Sequence, residues 1–100
     1  MDYKVEFKDS FLEDLERVVT VIAEQNQPAA RKLGELLVKS AETLEFFPER
    51  HPHVRQRPAL RRYVVARNYK VFYRVCPETQ TVEILRCWDG RQGADPMIES

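Results

Sequence analysis

The sequence lacks the patterns by which small enzymes are usually recognised. Its three glycines form no glycine-rich phosphate loop, its two cysteines form no metal-binding array, and no nucleophile stands beside a convincing base. It also lacks an apolar stretch long enough for the core of a signal peptide or for a bilayer-spanning helix. We therefore expect a cytoplasmic protein that needs no cofactor or metal, makes no membrane contact and keeps both thiols reduced.

The chain has the length of one domain, and its charge is unevenly distributed. One hundred residues can bury enough surface to fold without disulfides, so we expect a single domain over residues 1–100. Net formal charge is zero, but residues 1–50 contain seven Lys or Arg against eleven Asp or Glu, whereas residues 51–100 contain nine against five. The basic half either presents a surface to an anionic partner or pairs internally with the acidic half.

Three consecutive strands are predicted between positions 60 and 88, where side-chain character alternates at period two. The strands are residues 63–66, 69–76 and 81–88, which are rich in β-branched and aromatic side chains. Asn68 marks the first turn, and Pro77 supplies the fixed φ of a second, four-residue turn. This turn places Cys76 opposite Thr81, so a disulfide between Cys76 and Cys87 would need a different pairing.

Counting outward from the second turn divides the side chains of the last two strands between two faces. The almost wholly apolar face, which we expect on the core, comprises Tyr69, Val71, Tyr73, Val75, Val82, Ile84, Arg86 and Trp88. The mixed face comprises Lys70, Phe72, Arg74, Cys76, Thr81, Glu83, Leu85 and Cys87. A bulge in either strand would exchange the two faces beyond it.

The first half of the chain predicts one strand and two helices. Its opening residues alternate apolar and charged side chains, as in a strand with one face on the core. Ser10 and Glu13 form the capping box of a first helix, whose apolar stripe leaves Asp14 outside. Asn26 and Pro28 separate this helix from a second amphipathic one. The predicted fold is α+β: an N-terminal strand, an antiparallel helical hairpin and a three-strand antiparallel meander, with both helices on one face of a single sheet.

Residues 48–59 are predicted to form a loop, because they include three prolines and only one large aliphatic side chain. His51 and His53 in this segment offer two metal ligands, but no third or fourth ligand stands at a credible spacing. The same two histidines offer a general acid or base, and the alternative is that they simply face solvent.

Five basic residues at strand and turn positions are candidates for contacts with an anionic target. Rigid positions of this kind suit phosphate recognition, whereas the alternative is that each cation pairs with an acid, as Arg74 would with Glu83 directly across the hairpin. The five are Arg67, Lys70, Arg74, Arg86 and Arg91.

Several segments, taken in order, resemble toxins of the RelE/ParE superfamily. They are LRRYVV at residues 60–65, YKVFYRV at 69–75, VEILR at 82–86 and DGR at 89–91, with an opening strand, a helical hairpin and FPER at 47–50. The resemblance covers nearly the whole chain. It implies a small bacterial toxin neutralised by a co-encoded antitoxin, in a toxin–antitoxin hetero-oligomer. The antitoxin segment would cover the sheet, and on its mixed face Phe72 and Leu85 are the expected contacts.

Two activities divide this superfamily. RelE-like members cut messenger RNA on the ribosome, whereas ParE-like members of the plasmid-stabilisation type block DNA gyrase. The resemblance places Lys70 and Arg91 at or near functional arginines of the nucleases, but Asp95 or Met97 stands where their terminal Tyr or His would be. We therefore expect a ParE-like gyrase inhibitor that touches its target through Arg67, Lys70, Arg74 and Arg91. The alternatives are a non-toxic interaction domain of the same fold and a ribosome-dependent nuclease that uses Lys70, Arg91, His51 and His53.

Overall fold

The computed structural model describes residues 2–98, in which one five-stranded sheet carries two α-helices on one face. The strands are β1 (Lys4–Phe7), β2 (His53–Val54), β3 (Arg57–Val65), β4 (Tyr69–Cys76) and β5 (Thr81–Asp89), and the helices are α1 (Asp9–Ala23) and α2 (Gln27–Glu42). Two short 3₁₀ turns, Thr43–Glu45 and Pro48–Arg50, lead from α2 to β2. The predicted α+β fold is confirmed.

The sheet has the strand order β1-β5-β4-β3-β2. β1 runs parallel to β5, with Lys4 opposite Thr81, while the other neighbouring strands are antiparallel. The hairpin of β4 and β5 begins in the predicted register, since Cys76 lies opposite Thr81 and Arg74 opposite Glu83. The two cysteines lie in separate rows of the sheet and form no disulfide, as expected.

The hydrophobic core lies between the helices and one face of the sheet, which we call the helix face. Its fully buried side chains include Phe11, Leu37, Ala41, Leu44, Val71, Tyr73, Val82 and Ile84. They recur at helical spacing in α1 and α2 and at every second position in β4 and β5, as one-sided burial requires. Neither described helix is both long and apolar enough to cross a lipid bilayer.

The start of α1 differs from the predicted cap, whereas α2 begins at the predicted Asn26 and Pro28. α1 begins directly after Lys8 without a side-chain cap, and the Ser10 hydroxyl donates to the Leu85 carbonyl oxygen at 2.6 Å. The predicted capping box is therefore wrong, because a tertiary hydrogen bond takes the serine. Asn26 has an extended backbone, with φ of −157°, and its side chain accepts the Ala29 N–H at 3.0 Å. This asparagine therefore caps the start of α2.

The predicted loop at residues 48–59 is wrong, because this segment contains the second 3₁₀ turn, β2 and the start of β3. That strand begins at Arg57, six positions before Tyr63, where the sequence predicts its start. β3 ends at Val65, because Ala66 and Arg67 adopt left-handed φ values of 51° and 74° in the turn to β4. Ala66 therefore belongs to the turn and not to the strand, as backbone geometry of this kind cannot continue a ladder.

A β-bulge in β5 changes the faces of the residues that follow it. Tyr73 lies opposite Ile84, but Phe72 lies opposite Arg86, so Leu85 is the additional residue of β5. The predicted faces are correct as far as Ile84 and wrong for three residues beyond the bulge. Arg86 and Trp88, which the sequence places on the core, lie on the opposite face. Cys87, which the sequence places on the mixed face, lies in the core.

Asp14 on α1 is buried, although the sequence places it outside the apolar stripe. β1 pairs with β5 only as far as Ile84, so the next part of β5 has no neighbouring strand on that side. The Asp14 carboxylate takes the missing place: it accepts the Cys87 N–H at 3.1 Å and pairs with the Arg86 guanidinium at 2.6 Å. With Ser10, one helical turn earlier, it satisfies backbone groups that the open edge would leave unpaired.

We expect Asp14→Ala to lower the free energy of unfolding by about 3 kcal/mol, because it leaves the Arg86 guanidinium and the Cys87 N–H without their partner. Asp14→Asn keeps an acceptor for the N–H and should cost less. Glu16→Ala, on the exposed side of α1, is the matched control and should change stability by less than about 0.5 kcal/mol. Urea unfolding measures all three, and equal stability of Asp14→Ala and Glu16→Ala would contradict this account of the edge.

Candidate functional site

The face of the sheet away from the helices is the candidate site, and we call it the outer face. It consists of two complete rows across the three central strands and part of a third. The rows are Arg62, Phe72 and Arg86, then Val64, Lys70 and Trp88, then Arg74 and Glu83. The bulge therefore adds a cation and the only tryptophan of the chain to a surface that already carries Arg62, Lys70 and Arg74.

The C-terminal segment of the described chain, residues 94–98, lies across this outer face, and we call it the tail. Its one carboxylate, that of Asp95, pairs with Lys70 at 2.9 Å and with Arg62 at 3.3 Å. The indole N–H of Trp88 donates to the Ala94 carbonyl oxygen at 2.8 Å. Arg86 and Arg57 donate to two further tail carbonyl oxygens, at 2.8 and 2.9 Å, those of Met97 and Ile98. The outer face thus already accepts one extended, acidic stretch of chain.

The two expected antitoxin contacts are buried by this arrangement. Phe72 is 1% exposed and Leu85 is 6% exposed. A groove of about 230 Å³ between Phe72 and the tail is closed on one side by Ile98, and Met97 and Ile98 line a second groove, of about 410 Å³, beside Leu85. Tail residues line both grooves, and the role of Phe72 and Leu85 as antitoxin contacts stays a prediction.

The four predicted target-contact cations are held in different ways. Arg74 pairs with Glu83 directly across the hairpin, as the alternative interpretation predicts, and this contact holds the pKa of Glu83 below its usual range. Lys70 pairs with the tail. Arg91 pairs with the Asp89 carboxylate at 2.8 Å. Arg67, exposed in the turn before β4, makes no ion pair with any residue between 2 and 98.

Lys70 and Arg91 are not brought to one surface. The Arg91 guanidinium lies 5.9 Å from the ring centre of Tyr69, whose side chain packs against the core on the helix face. Lys70, the next residue in β4, points to the outer face, since successive strand residues alternate. Lys70 therefore belongs to the outer face, whereas Arg91 packs over a residue of the helix face.

The histidines also lie away from Lys70. His51 stacks on Tyr63 with ring centres 4.6 Å apart, and Tyr63 packs against the core on the helix face. Burial, followed by the neighbouring Arg50 charge, lowers the pKa of His51 below its usual range. His53 lies opposite Arg61 in β3. No three His, Cys, Asp or Glu between residues 2 and 98 are grouped so that they could hold a metal ion.

Sequence reasoning missed Arg62, Trp88 and Asp95 as residues of the outer face. Trp88 was hidden by the bulge, which no residue pattern in β5 announces. Arg62 lies in the part of β3 that precedes the predicted strand. Asp95 follows two glycines and precedes a proline, and nothing in such a segment indicates that it returns to the sheet.

The family model that describes the ParE toxin of the type II toxin–antitoxin system parDE matches residues 5–93. The chain belongs to this family. Comparison with curated protein sequences gives no match. The expectation of a ParE-like toxin of the RelE/ParE superfamily is confirmed.

Several solved structures share the fold of this ParE-family toxin. A chain of the chromosomal ParDE system from P. aeruginosa superposes with a TM-score of 0.76 at 17% identity, over 87% of this chain and 95% of that one. The RelBE2 toxin–antitoxin complex from Mycobacterium tuberculosis gives 0.66 at 24% identity, over 89% and 99%. A double arginine-to-alanine mutant of E. coli RelE in the free state gives 0.67 at 16% identity, over 93% and 88%. At these identities the likeness shows the fold alone.

We expect Asp95→Asn to shift the tail toward a released state, because the substitution removes two ion pairs that each contribute up to about 1 kcal/mol and leaves three hydrogen bonds to the tail backbone. Trp88 then loses its contact with the tail, and its fluorescence emission should move to longer wavelength. As Trp88 is the only tryptophan, the signal needs no correction. Glu78→Gln in the exposed turn between β4 and β5 is the control and should leave the emission unchanged. Identical spectra for Asp95→Asn and the parent chain would contradict the placement of the tail.

Proposed function

We propose that this toxin inhibits growth by binding a host protein, DNA gyrase, and not by cutting messenger RNA. Cleavage next to a ribose needs a base for the 2′-hydroxyl, an acid for the leaving group and positive charge on the phosphate, all within reach of the same bond. The separation of Lys70 on the outer face from Arg91 and His51 on the helix face is the observation that carries the proposal. In this arrangement the three groups do not converge on one face of the sheet.

Family membership supports gyrase as the target, and no individual residue of the chain adds to that support. The matching family is that of the ParE toxins, and a chain of a ParDE system has the same fold. Inhibition of gyrase is what resemblance to ParE-like members implies for this chain. An expected cytoplasmic location agrees with such a target.

We propose further that a cognate antitoxin neutralises the toxin by covering the outer face. Two of the similar solved structures are toxin–antitoxin complexes, those of RelBE2 from M. tuberculosis and of intact RelBE from E. coli. The tail indicates the chemistry that the outer face accepts: an extended segment with a carboxylate over Lys70 and Arg62 and an aliphatic side chain beside Phe72. An acidic, amphipathic antitoxin segment fits this description.

The choice between binder and nuclease is tested with the two histidines. We expect the double variant His51→Ala with His53→Ala to inhibit growth as the parent does, and translating ribosomes with purified toxin to show no new messenger ends. His51→Phe with His53→Ala is the matched control, since a phenyl ring keeps the stacking on Tyr63 without a titratable group. Cuts in the ribosomal A site that disappear in Lys70→Ala or Arg91→Ala would instead place the toxin among the nucleases.

The antitoxin surface is tested by charge reversal. We expect Lys70→Glu to weaken binding of the antitoxin encoded beside the toxin gene by about tenfold, because it places like charges together at the interface. Arg67→Glu changes an exposed cation in the turn outside the outer face and should have a much smaller effect. Calorimetry measures both. Equal losses of affinity in the two variants would mean that net charge alone attracts the antitoxin. If no small protein encoded beside the toxin gene binds the chain, the pairing with an antitoxin is refuted.

A further inference from the structure

Two consecutive phenylalanines are exposed at the end of the helical hairpin. Phe46 is 49% exposed and Phe47 is 81% exposed, whereas Phe11 and Phe72 are buried. We call Phe46 and Phe47 the aromatic knob. The outer face does not include them, and the family match, although it covers both positions, gives their rings no role. An adjacent pair of exposed aromatic rings is a common feature of protein-binding surfaces.

Phe47 adopts a backbone conformation that a bulky residue avoids. Its φ of 47° and ψ of 58° lie in the left-handed region, where the Cβ atom of an L-residue is crowded. Such a conformation persists only where the surrounding structure imposes it, and residues of this kind cluster at functional sites. Apolar burial does not compensate for it here, because the Phe47 ring is mostly in solvent.

The backbone on both sides of Phe47 is held by specific contacts. Pro48 is buried, and its carbonyl oxygen accepts the Tyr73 hydroxyl at 2.6 Å. The Arg50 guanidinium donates to the Phe46 carbonyl oxygen at 2.5 Å and to the Thr43 side chain at 2.6 Å. The knob is therefore presented by a rigid connection, so a partner would lose little conformational entropy in ordering it.

The surroundings of the knob are acidic. Three glutamates lie within five positions of it, all exposed, and none makes an ion pair with a residue between 2 and 98: Glu42, Glu45 and Glu49. Arg50, also exposed, is the one cation among these neighbours, so the rim has an excess of negative charge. A surface with two apolar rings inside such a rim is complementary to an apolar pocket bordered by Lys or Arg. It is not complementary to an acidic antitoxin segment, which like charges would repel.

The knob also lies apart from the surface proposed for the antitoxin. The Glu45 carbonyl oxygen accepts the Tyr3 N–H at 2.8 Å, which places the knob near the start of β1. That start pairs with Thr81, at the opposite end of β5 from Asp89 and Arg91. Tyr73, which binds the knob's connection, belongs to the helix face and not to the outer face.

We propose that the aromatic knob is the anchor with which the toxin binds the protein that it inhibits, through an apolar pocket rimmed by basic side chains on that protein. The inference rests on the proposed function, in which the toxin acts by binding. An interface of ordinary size covers about 800 Å² of each partner and extends well beyond two rings. An antitoxin on the outer face would therefore still obstruct a large target that is anchored at the knob.

Phe47→Gly separates function from folding. Glycine adopts a positive φ without strain, so the unfolding temperature should equal or exceed that of the parent. Loss of the ring should nevertheless reduce growth inhibition, and inhibition of supercoiling by purified DNA gyrase, by about 30-fold, as truncation of an interface anchor does. Val21→Ala, at a valine that is 61% exposed on α1, is the matched control and should keep full potency. Glu45→Lys with Glu49→Lys should also lower potency, and more so at low salt.

The affinity for the antitoxin distinguishes the possible results. It should be the same for Phe47→Gly and the parent, and an equal fall would assign the knob to the antitoxin interface and overturn the inference. Full potency of Phe47→Gly would overturn it as well, while leaving the binding function intact. A parent chain that inhibits growth but not gyrase would remove only the named target, and the loss of growth inhibition in Phe47→Gly would still support the knob. A parent chain that inhibits neither would refute both proposals.

Discussion

The contact between α1 and the open edge of β5 is the constraint on which the rest of this structure depends. β1 is too short to cover β5 beyond Ile84, and an uncovered strand edge leaves backbone groups unsatisfied and open to wrong pairing. Ser10 and Asp14, spaced one helical turn apart, supply a donor and an acceptor at the edge in place of a strand. The same contacts tie α1 to β5, beside the apolar side chains that form the core.

The bulge at Leu85 follows from this edge and determines the outer face. A strand with a regular neighbour on each side resists an additional residue, whereas an edge held by a helix tolerates one. Because of the bulge, Cys87 turns into the core, where burial raises its pKa to about 12, and Arg86 and Trp88 turn outward. The row of Arg62, Phe72 and Arg86 exists only in this register. The surface that receives the tail is thus a consequence of how the edge of β5 is closed.

The sequence predicts the parts of the fold that depend on periodicity, and misses those that depend on single tertiary contacts. Alternation from Tyr69 to Ile84 gives the register and the core face correctly, because every second side chain there is buried by the same layer of helices. The helical pattern predicts that Asp14 is exposed, but its carboxylate is buried against partners more than 70 positions away in the chain. Of the candidate site, Lys70 and Arg74 are predicted on the outer face, whereas the opposite placement of Arg91 depends on its contact with Tyr69.

The uneven charge of the two halves persists on the surface of the folded chain. One of the two interpretations of that asymmetry was internal pairing between the halves. Among the described residues, however, Arg86–Asp14 is the one ion pair that joins a cation of the basic half to an acid of the acidic half. The pairs of Arg62, Lys70, Arg74 and Arg91 all lie within the basic half. The glutamates around the aromatic knob consequently make no ion pair among the described residues and are exposed to solvent or a partner. The molecule therefore presents a basic outer face covered by a tail with one carboxylate, and an acidic, aromatic corner after the helical hairpin. Two such surfaces suit two partners of opposite charge better than they suit one.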